Sequence, residues 1–306
     1  MADELRANGE NVLLIDGGNI IGRNKKYSEQ VMENIGALAI ESMNLIDYGA
    51  INIGSDEMTL GIETMKRVLN KAAFPAVASN ILFKDQTASY AKPYALIKQG
   101  NLTIGVLGVM SPRLSGVTAL NAESEEIQVI EAEAALAKLL PEVRNQSDIV
   151  LLLSQLSTEE TQKLASTVRG IDLIVASSFN SAGKSDLPAG SCAGSTTIAE
   201  VTGKSAASPV PVFIVSPDGA ELGAVTIEKT SDGRVDISNE RVIKLSKRIE
   251  DSEVVVAILG TEISSALQKK LTEQVEKEMS EIRKLSPEEF IRRTLMEKGT
   301  QGGKKQ

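Results

Sequence analysis

The stretch IVLLL at residues 149–153 is the part of the sequence that says most about the fold. A short, continuous apolar run predicts a strand with both faces buried, as in the parallel sheets of α/β proteins. A helix is predicted to follow over residues 158–168, with Thr158 as its N-cap and glutamates in its first turn. The apolar run at residues 173–176 predicts the next strand. Strand, helix and strand in this order indicate an α/β layer.

The alternation extends toward the N-terminus. Strands are predicted at residues 12–15, 50–53 and 74–78, helices at residues 28–44, 58–72 and 123–144, and a β-hairpin around Gly100 at residues 94–98 and 102–108. Residues 1–7 are typical of the last turns of a helix that ends at Asn8-Gly9. Because a domain rarely begins within a helix, we expect a further strand upstream of Met1.

The pattern changes after residue 177. A segment rich in Ser, Gly, Ala and Thr is predicted to hold one strand near residues 197–201, followed by consecutive antiparallel strands at residues 210–216, 222–229 and 234–238. From Asp251 the chain is predicted to be helical, with an apolar stripe at Ile263, Leu267, Leu271, Val275 and Met279. This stripe fits a helix that packs on the domain or acts as a spacer, and alternatively a coiled coil. We expect an α/β domain at residues 1–245, a helical extension or linker at residues 246–298, and a disordered tail at residues 299–306.

Composition excludes several classes of function. The chain has 306 residues, no histidine, one cysteine and a net charge of −8. The negative charge disfavours nucleic acid as a partner, and no apolar run approaches the ~20 residues that span a bilayer. Without histidine, neither a Ser/His/Asp nor a Cys/His arrangement can form, so Cys192 is interpreted as a structural thiol. Residues 181–185 end like a phosphate-binding loop, but Ser178 stands where its first glycine is required.

Polar loops follow the predicted strands in a recognisable order. They are Asp16-Gly17-Gly18-Asn19, Gly54-Ser55-Asp56-Glu57, Ser154-Gln155-Leu156-Ser157 and Ser177-Ser178-Phe179-Asn180. In order and spacing they resemble the metallophosphatase domain of the 5′-nucleotidase family, within the calcineurin-like phosphoesterases. The resemblance covers residues 1–245. It implies an α/β fold, an α/β/β/α sandwich of two mixed sheets, here with a C-terminal helical extension, in which the loops carry the ligands of two metal ions.

The same resemblance implies that the ligand positions have changed. Asn19 stands where the bridging aspartate is expected, Ser55 and Asp56 replace the ligand asparagine and the catalytic histidine, and Gln155 replaces a histidine ligand. Ser178 and Asn180 replace two further histidines, whereas Gly54 and Glu57 remain. The family's first strand, with its Asp-x-His ligands, would lie upstream of Met1. A two-metal site needs carboxylates and neutral imidazoles, and a neutral amide cannot supply the charge of a bridging carboxylate.

Two functions are compatible with these residues. The first is a catalytically inactive domain that serves as a structural or interaction module and binds a protein partner or a further domain through its C-terminal helices. The second is a residual metal-dependent phosphohydrolase that acts on nucleotides or other phosphate esters. We expect no cofactor; the alternative is one weakly bound divalent cation, Mg²⁺ or Ca²⁺, at Asn19, Asp56 and Glu57. The resemblance implies a periplasmic or extracellular location, whereas residues 1–6 lack the pattern of a signal peptide.

Overall fold

A computed structural model describes residues 2–20, 29–84, 90–114, 127–177, 210–215, 221–245 and 256. By their contacts the residues group into two compact units, Met1–Glu250 and Asp251–Gln306. The first unit holds all the elements named below. In the second unit only Val256 is described, and it lies in a helix with an exposed side chain.

Strands and helices alternate through most of the first unit. The helices are α1 (Ala2–Ala7), α2 (Glu29–Leu45), α3 (Ser55–Thr59), α4 (Ile62–Leu69), α5 (Ala132–Gln146) and α6 (Thr158–Thr167). The strands are β1 (Leu14–Asp16), β2 (Tyr48–Asn52), β3 (Ala76–Val77), β4 (Ile81–Phe83), β5 (Tyr94–Gln99), β6 (Leu102–Met110), β7 (Ile127–Val129), β8 (Ile149–Gln155), β9 (Leu173–Ser177), β10 (Val212–Val215), β11 (Glu221–Lys229) and β12 (Val235–Lys244). No helix among the described residues is both long and apolar enough to cross a membrane.

The strands form one large sheet and three smaller ones among the described residues. The large sheet has the order β10-β9-β8-β6-β5, in which only the β5–β6 pair is antiparallel. This pair is the predicted hairpin, and Gly100 in its turn has a positive φ of 59°. A second, parallel sheet has the order β1-β2-β3, and the pairs β4–β7 and β11–β12 are antiparallel.

Strand β8 is the centre of the packing, as the run IVLLL predicts. All seven of its residues are buried. Its residues Val150 and Leu152 pack with apolar side chains of α5 and α6 on one face of the sheet. The alternate residues Leu151 and Leu153 face the opposite way, where they share a core with β2, β3 and the β11–β12 hairpin.

A second helical layer covers the β1-β2-β3 sheet. Ile40 of α2 and Val68 of α4 share a buried cluster with Ile51 of β2. Helices therefore lie outside two stacked sheets, and the predicted α/β fold class of the sandwich type is confirmed. The number of sheets is larger than the predicted two, since four hydrogen-bonded sheets occur among the described residues.

Several predicted elements are wrong in detail, for local reasons. The predicted helix at residues 58–72 is divided into α3 and α4, because Gly61 between them has a φ of 85° that a helix cannot contain. The predicted helix at residues 123–144 begins only at Ala132, after the unpredicted strand β7. The N-cap of α6 is Ser157 and not Thr158, because the Ser157 Oγ accepts the Glu160 N–H at 3.2 Å.

The last strands also differ from the prediction. Strand β10 pairs in parallel with β9 and does not form an antiparallel run with β11. Other predictions lie outside the described residues: the strand at residues 197–201, the segment 181–185, Cys192, Ser178, Asn180, the apolar stripe at Ile263 to Met279 and the tail at residues 299–306.

Candidate functional site

The loops after β1, β2 and β8 meet at the carboxyl ends of their strands. We call this meeting point the loop junction and define it as residues 16–20, 52–57 and 155. The loop after β1 turns sharply, with positive φ angles of 96° at Gly18 and 65° at Asn19. The Gly18 N–H donates to the Asp16 Oδ1 at 2.8 Å, which holds the beginning of this turn.

Glu57 is the buried carboxylate of the loop junction, and it is only 3% exposed. Its Oε2 accepts the N–H groups of Asn19 and Gly54, both at 2.9 Å. Its Oε1 accepts the Ile20 N–H at 2.6 Å. Both oxygens are thus engaged by the backbone, so the carboxylate joins the β1 loop to the beginning of α3.

The side-chain amides of Asn19 and Gln155 also bind the beginning of α3. The Asn19 Oδ1 accepts the Asp56 N–H at 2.9 Å and the Ser55 hydroxyl at 3.5 Å. The Gln155 Oε1 accepts the Ser55 N–H at 3.0 Å. These N–H groups belong to the first helical turn, where no helix carbonyl is available to accept them. Residues at the expected metal-ligand positions therefore cap a helix.

The loop junction is packed so closely that two glycines are required. A Cβ atom on Gly54 would lie 2.4 Å from the Asn19 Oδ1 and 2.5 Å from the Gln155 Nε2. A Cβ atom on Gly18 would lie 2.9 Å from the Gly54 nitrogen and 3.0 Å from the Gln155 Nε2. The glycines allow the three loops to approach one another this closely, since any larger residue would add a Cβ atom within about 3 Å of a neighbouring loop.

Two buried polar atoms of the loop junction have no hydrogen-bond partner among the described residues. They are the Gln155 Nε2 and the Asn52 Oδ1, on side chains that are each 1% exposed. The Ser55 N–H fixes the orientation of the Gln155 amide, since that donor must face an oxygen. Asn52 uses its Nδ2 to donate to the carbonyls of Gly17 and Val109, both at 3.2 Å.

The two aspartates of the loop junction differ in exposure. Asp56 is exposed at the surface, but surrounding protein partly desolvates its carboxyl and raises its pKa above the usual value. Burial also raises the pKa of the Asp16 carboxyl, and the Gly18 N–H partly opposes this effect. Desolvation, and secondarily the charge of Asp16, raise the pKa of the Tyr48 hydroxyl to about 12.

A network beside the loop junction supports the strand ends that carry it. The Ser111 N–H donates to the Gln155 carbonyl at 3.0 Å, and the Ser111 hydroxyl donates to the Glu160 Oε1 at 2.9 Å. Arg113 pairs with that same glutamate at 2.6 Å and with Glu131 at 2.9 Å. Sequence reasoning did not place Ser111, Arg113, Glu131, Glu160 or Asn52 at the site. For Asn52 a signal exists, because it is the only polar residue in the apolar run at residues 50–53.

The two metal ions that the resemblance implies do not fit the described residues. No group of three or more His, Cys, Asp or Glu side chains that could hold a metal ion occurs in the described ranges. The candidate oxygens of Asn19, Glu57 and Gln155 are already engaged by N–H groups. The remaining polar atom of Gln155 is a donor, which repels a cation.

The architecture agrees with that of a solved structure. A calcineurin-like phosphoesterase of Bacillus subtilis superposes with a TM-score of 0.65 at 18% sequence identity, covering 88% of this chain and 88% of its own. The fold is that of the calcineurin-like phosphoesterases. No protein-family model matches the chain.

Sequence relatives of this phosphoesterase-fold chain carry the 5′-nucleotidase name. The snake-venom 5′-nucleotidase of Gloydius brevicauda is 26% identical over 264 residues, which make up 83% of this chain and 43% of that protein. An uncharacterised metallophosphoesterase of Bacillus subtilis is 29% identical over 178 residues, which make up 57% of this chain and 37% of that protein. The chain is thus a relative of 5′-nucleotidases and metallophosphoesterases, as the strand-end loops predict. It spans less than half the length of either of these relatives.

Proposed function

We propose that this chain is a catalytically inactive, 5′-nucleotidase-like metallophosphatase domain that serves as a structural or interaction module. The observation that carries the proposal is the use of the Asn19 and Gln155 amide oxygens as caps for the backbone N–H groups of α3. At the expected ligand positions, both oxygens accept backbone N–H groups, so an ion would have to share or displace these donors.

Charge supports the same proposal. Two-metal hydrolysis needs anionic ligands that neutralise the ions, and an ion that lowers the pKa of a bound water. Asn19, Ser55 and Gln155 are neutral, and the Glu57 carboxylate is engaged by three backbone donors. Only Asp56 offers an exposed carboxylate at the loop junction. One exposed carboxylate holds a divalent ion weakly, because Mg²⁺ and Ca²⁺ sites combine several oxygen ligands.

The alternative function is a residual metal-dependent phosphohydrolase with one weakly bound cation. The exposure of Asp56 favours this alternative, since its carboxylate is the one most accessible to an ion. Glu57 contributes little to such a site, because a metal ion would have to displace the N–H groups of Asn19, Ile20 or Gly54. The alternative therefore depends on Asp56.

A direct experiment separates the two functions. The full chain is dialysed against Mn²⁺, Mg²⁺ or Zn²⁺, its metal content is measured by mass spectrometry, and phosphate release from a nucleoside monophosphate is followed. We expect substoichiometric metal and no turnover above that of the Asp56→Ala variant. Stoichiometric metal together with turnover that Asp56→Ala abolishes would establish the alternative and exclude the inactive domain.

The module would act outside the cytoplasm and through its C-terminal residues. A periplasmic or extracellular location is supported by the relationship to a 5′-nucleotidase of snake venom. The proposed contact with a protein partner or a further domain is supported by the apolar stripe from Ile263 to Met279. Size-exclusion chromatography of the full chain and of a chain that ends at residue 250 tests this contact. The contact is contradicted if the two chains have the same oligomeric state and co-elute to the same extent with added periplasmic proteins.

A further inference from the structure

We propose that the side-chain amides of Asn19 and Gln155 replace metal ions as the link between the loops after β1, β2 and β8. We call this pair the amide lock. The inference deepens the proposed function and rests on it in one respect, namely that no ion is bound between these loops. It assigns a role to the replacements themselves: they hold the loop junction together in a metal-independent way.

The amide lock joins segments that are far apart in the chain. Gln155 and Ser55 are separated by 100 positions, and Asn19 and Asp56 by 37 positions. Gln155 ends a strand of the five-stranded sheet, whereas Asn19 follows a strand of the three-stranded sheet. The helix α3 lies between them and donates one N–H group to each. These two bonds therefore connect both sheets through a single helical turn.

The chemistry of the two side chains suits this role. A neutral amide oxygen accepts a backbone N–H without a charge that must be desolvated. At Asn19 the backbone has a φ of 65°, a conformation that asparagine tolerates better than most residues. At Gln155 the oxygen faces the Ser55 N–H, which turns the unpartnered Nε2 toward Gly18 and Gly54. The N–H groups of that Nε2 repel cations from the centre of the loop junction.

The two bonds are separable, which makes the inference testable. Each amide accepts a different N–H group, so removal of one amide should expose one backbone site and leave the other protected. Gln155→Met removes the acceptor of the Ser55 N–H at similar side-chain length. Asn19→Gly removes the acceptor of the Asp56 N–H and tolerates the positive φ. Asn19→Asp and Gln155→Glu keep an acceptor oxygen at each position.

The experiment is residue-resolved amide hydrogen exchange on the full chain by NMR. In the native chain we expect the same protection at Ser55 and Asp56 in EDTA and in the diamagnetic ions Mg²⁺ or Zn²⁺. Gln155→Met should accelerate exchange at Ser55 at least about tenfold, the ratio that corresponds to about 1.4 kcal/mol, and leave Asp56 unchanged. Asn19→Gly should do the reverse. Gln30→Met, on the exposed part of α2, is the matched control and should change neither site.

Each result supports or overturns the amide lock. Loss of Ser55 protection when EDTA is added to the native chain overturns it, as does unchanged Ser55 protection in Gln155→Met. If Gln155→Met does not fold, Gln155→Glu must both fold and protect Ser55; failure of either overturns the inference.

Phosphate release measured on the same samples keeps the two proposals distinguishable. Metal-dependent turnover with unchanged exchange overturns the proposed function alone. EDTA-sensitive exchange without turnover overturns the amide lock alone.

Discussion

Replacement of Glu57 by Gln tests whether its carboxylate holds the loop junction. The native carboxylate accepts three backbone N–H groups, from Asn19 and Gly54 on one oxygen and from Ile20 on the other. A glutamine with its oxygen toward Asn19 and Gly54 would direct its NH₂ group at the Ile20 N–H. One bond is then lost, two bonds lose their ionic character, and two donors face each other.

The magnitude follows from these contacts. A hydrogen bond to a charged group contributes about 1.5–3 kcal/mol, and an unsatisfied buried donor costs about 1–3 kcal/mol. We therefore expect Glu57→Gln to lower the free energy of unfolding by about 2–3 kcal/mol. Glu57→Ala leaves all three donors without their acceptor and should cost more, about 3–5 kcal/mol.

The assay is urea unfolding followed by far-UV circular dichroism, since the chain has no tryptophan to report by fluorescence. Glu63→Gln is the matched control, because it makes the same charge change on α4. Its side chain is 73% exposed and pairs only with Lys66 among the ion pairs of the described residues, so we expect a change within about 0.5 kcal/mol. Equal unfolding midpoints for the two variants would refute the role given to Glu57.

Three further predictions use the same unfolding measurement. Gly54→Ala should lower the free energy of unfolding by about 1–3 kcal/mol, because its Cβ would lie 2.7 Å from the Asn19 nitrogen as well as against two side chains. Gly9→Ala, at a position with no neighbouring atom, should lower it by only about 1 kcal/mol, from its φ of 84°. An equal loss at both sites would contradict the close packing. Asp16→Asn should stabilise the chain at pH 7. Burial raises the pKa of Asp16 in the folded state, so the stability that this group contributes is fully present below its usual pKa and is lost as pH rises through the folded pKa. An unchanged pH dependence of the unfolding free energy in Asp16→Asn would contradict this contribution. Ser157→Ala removes the acceptor of the Glu160 N–H and should cost about 1 kcal/mol, and no loss would show that the cap is dispensable.

The sequence predicts the large sheet well because its signals are local. The continuous apolar run of β8 and the Gly100 hairpin depend on neighbouring residues, and both are confirmed. The predictions are wrong where the conformation of a single residue ends an element, or where a strand pairs with a partner that is distant in the sequence. The conformation of Gly61 interrupts a pattern that is otherwise helical, and β10 pairs with β9 across more than thirty intervening residues.

The sequence predicts which of the described strand-end residues lie near one another, but not which atoms each of them contacts. The spacing of the strand-end loops placed Asn19, Ser55, Asp56, Glu57 and Gln155 near one another, and the structure brings all five together. What each atom touches could not be predicted, because the orientation of an amide depends on donors that arrive from 37 and 100 positions away. The role of Glu57 as a weak metal ligand stays a prediction; the backbone donors that would compete with an ion for its carboxylate are invisible in a linear motif.

The residues at the expected ligand positions already cap α3, and this has a consequence for protein engineering. The side chains of residues 19 and 155 now accept N–H groups from the first turn of α3. A histidine or aspartate introduced at either position to bind an ion would lose this hydrogen bond or share its acceptor atom with the ion. Substitutions that add a ligand would thus weaken their own framework, and their effects would be strongly non-additive. Variants that gain a ligand at these positions are therefore expected to be less stable than the native chain, so a designer should first stabilise α3 by other means.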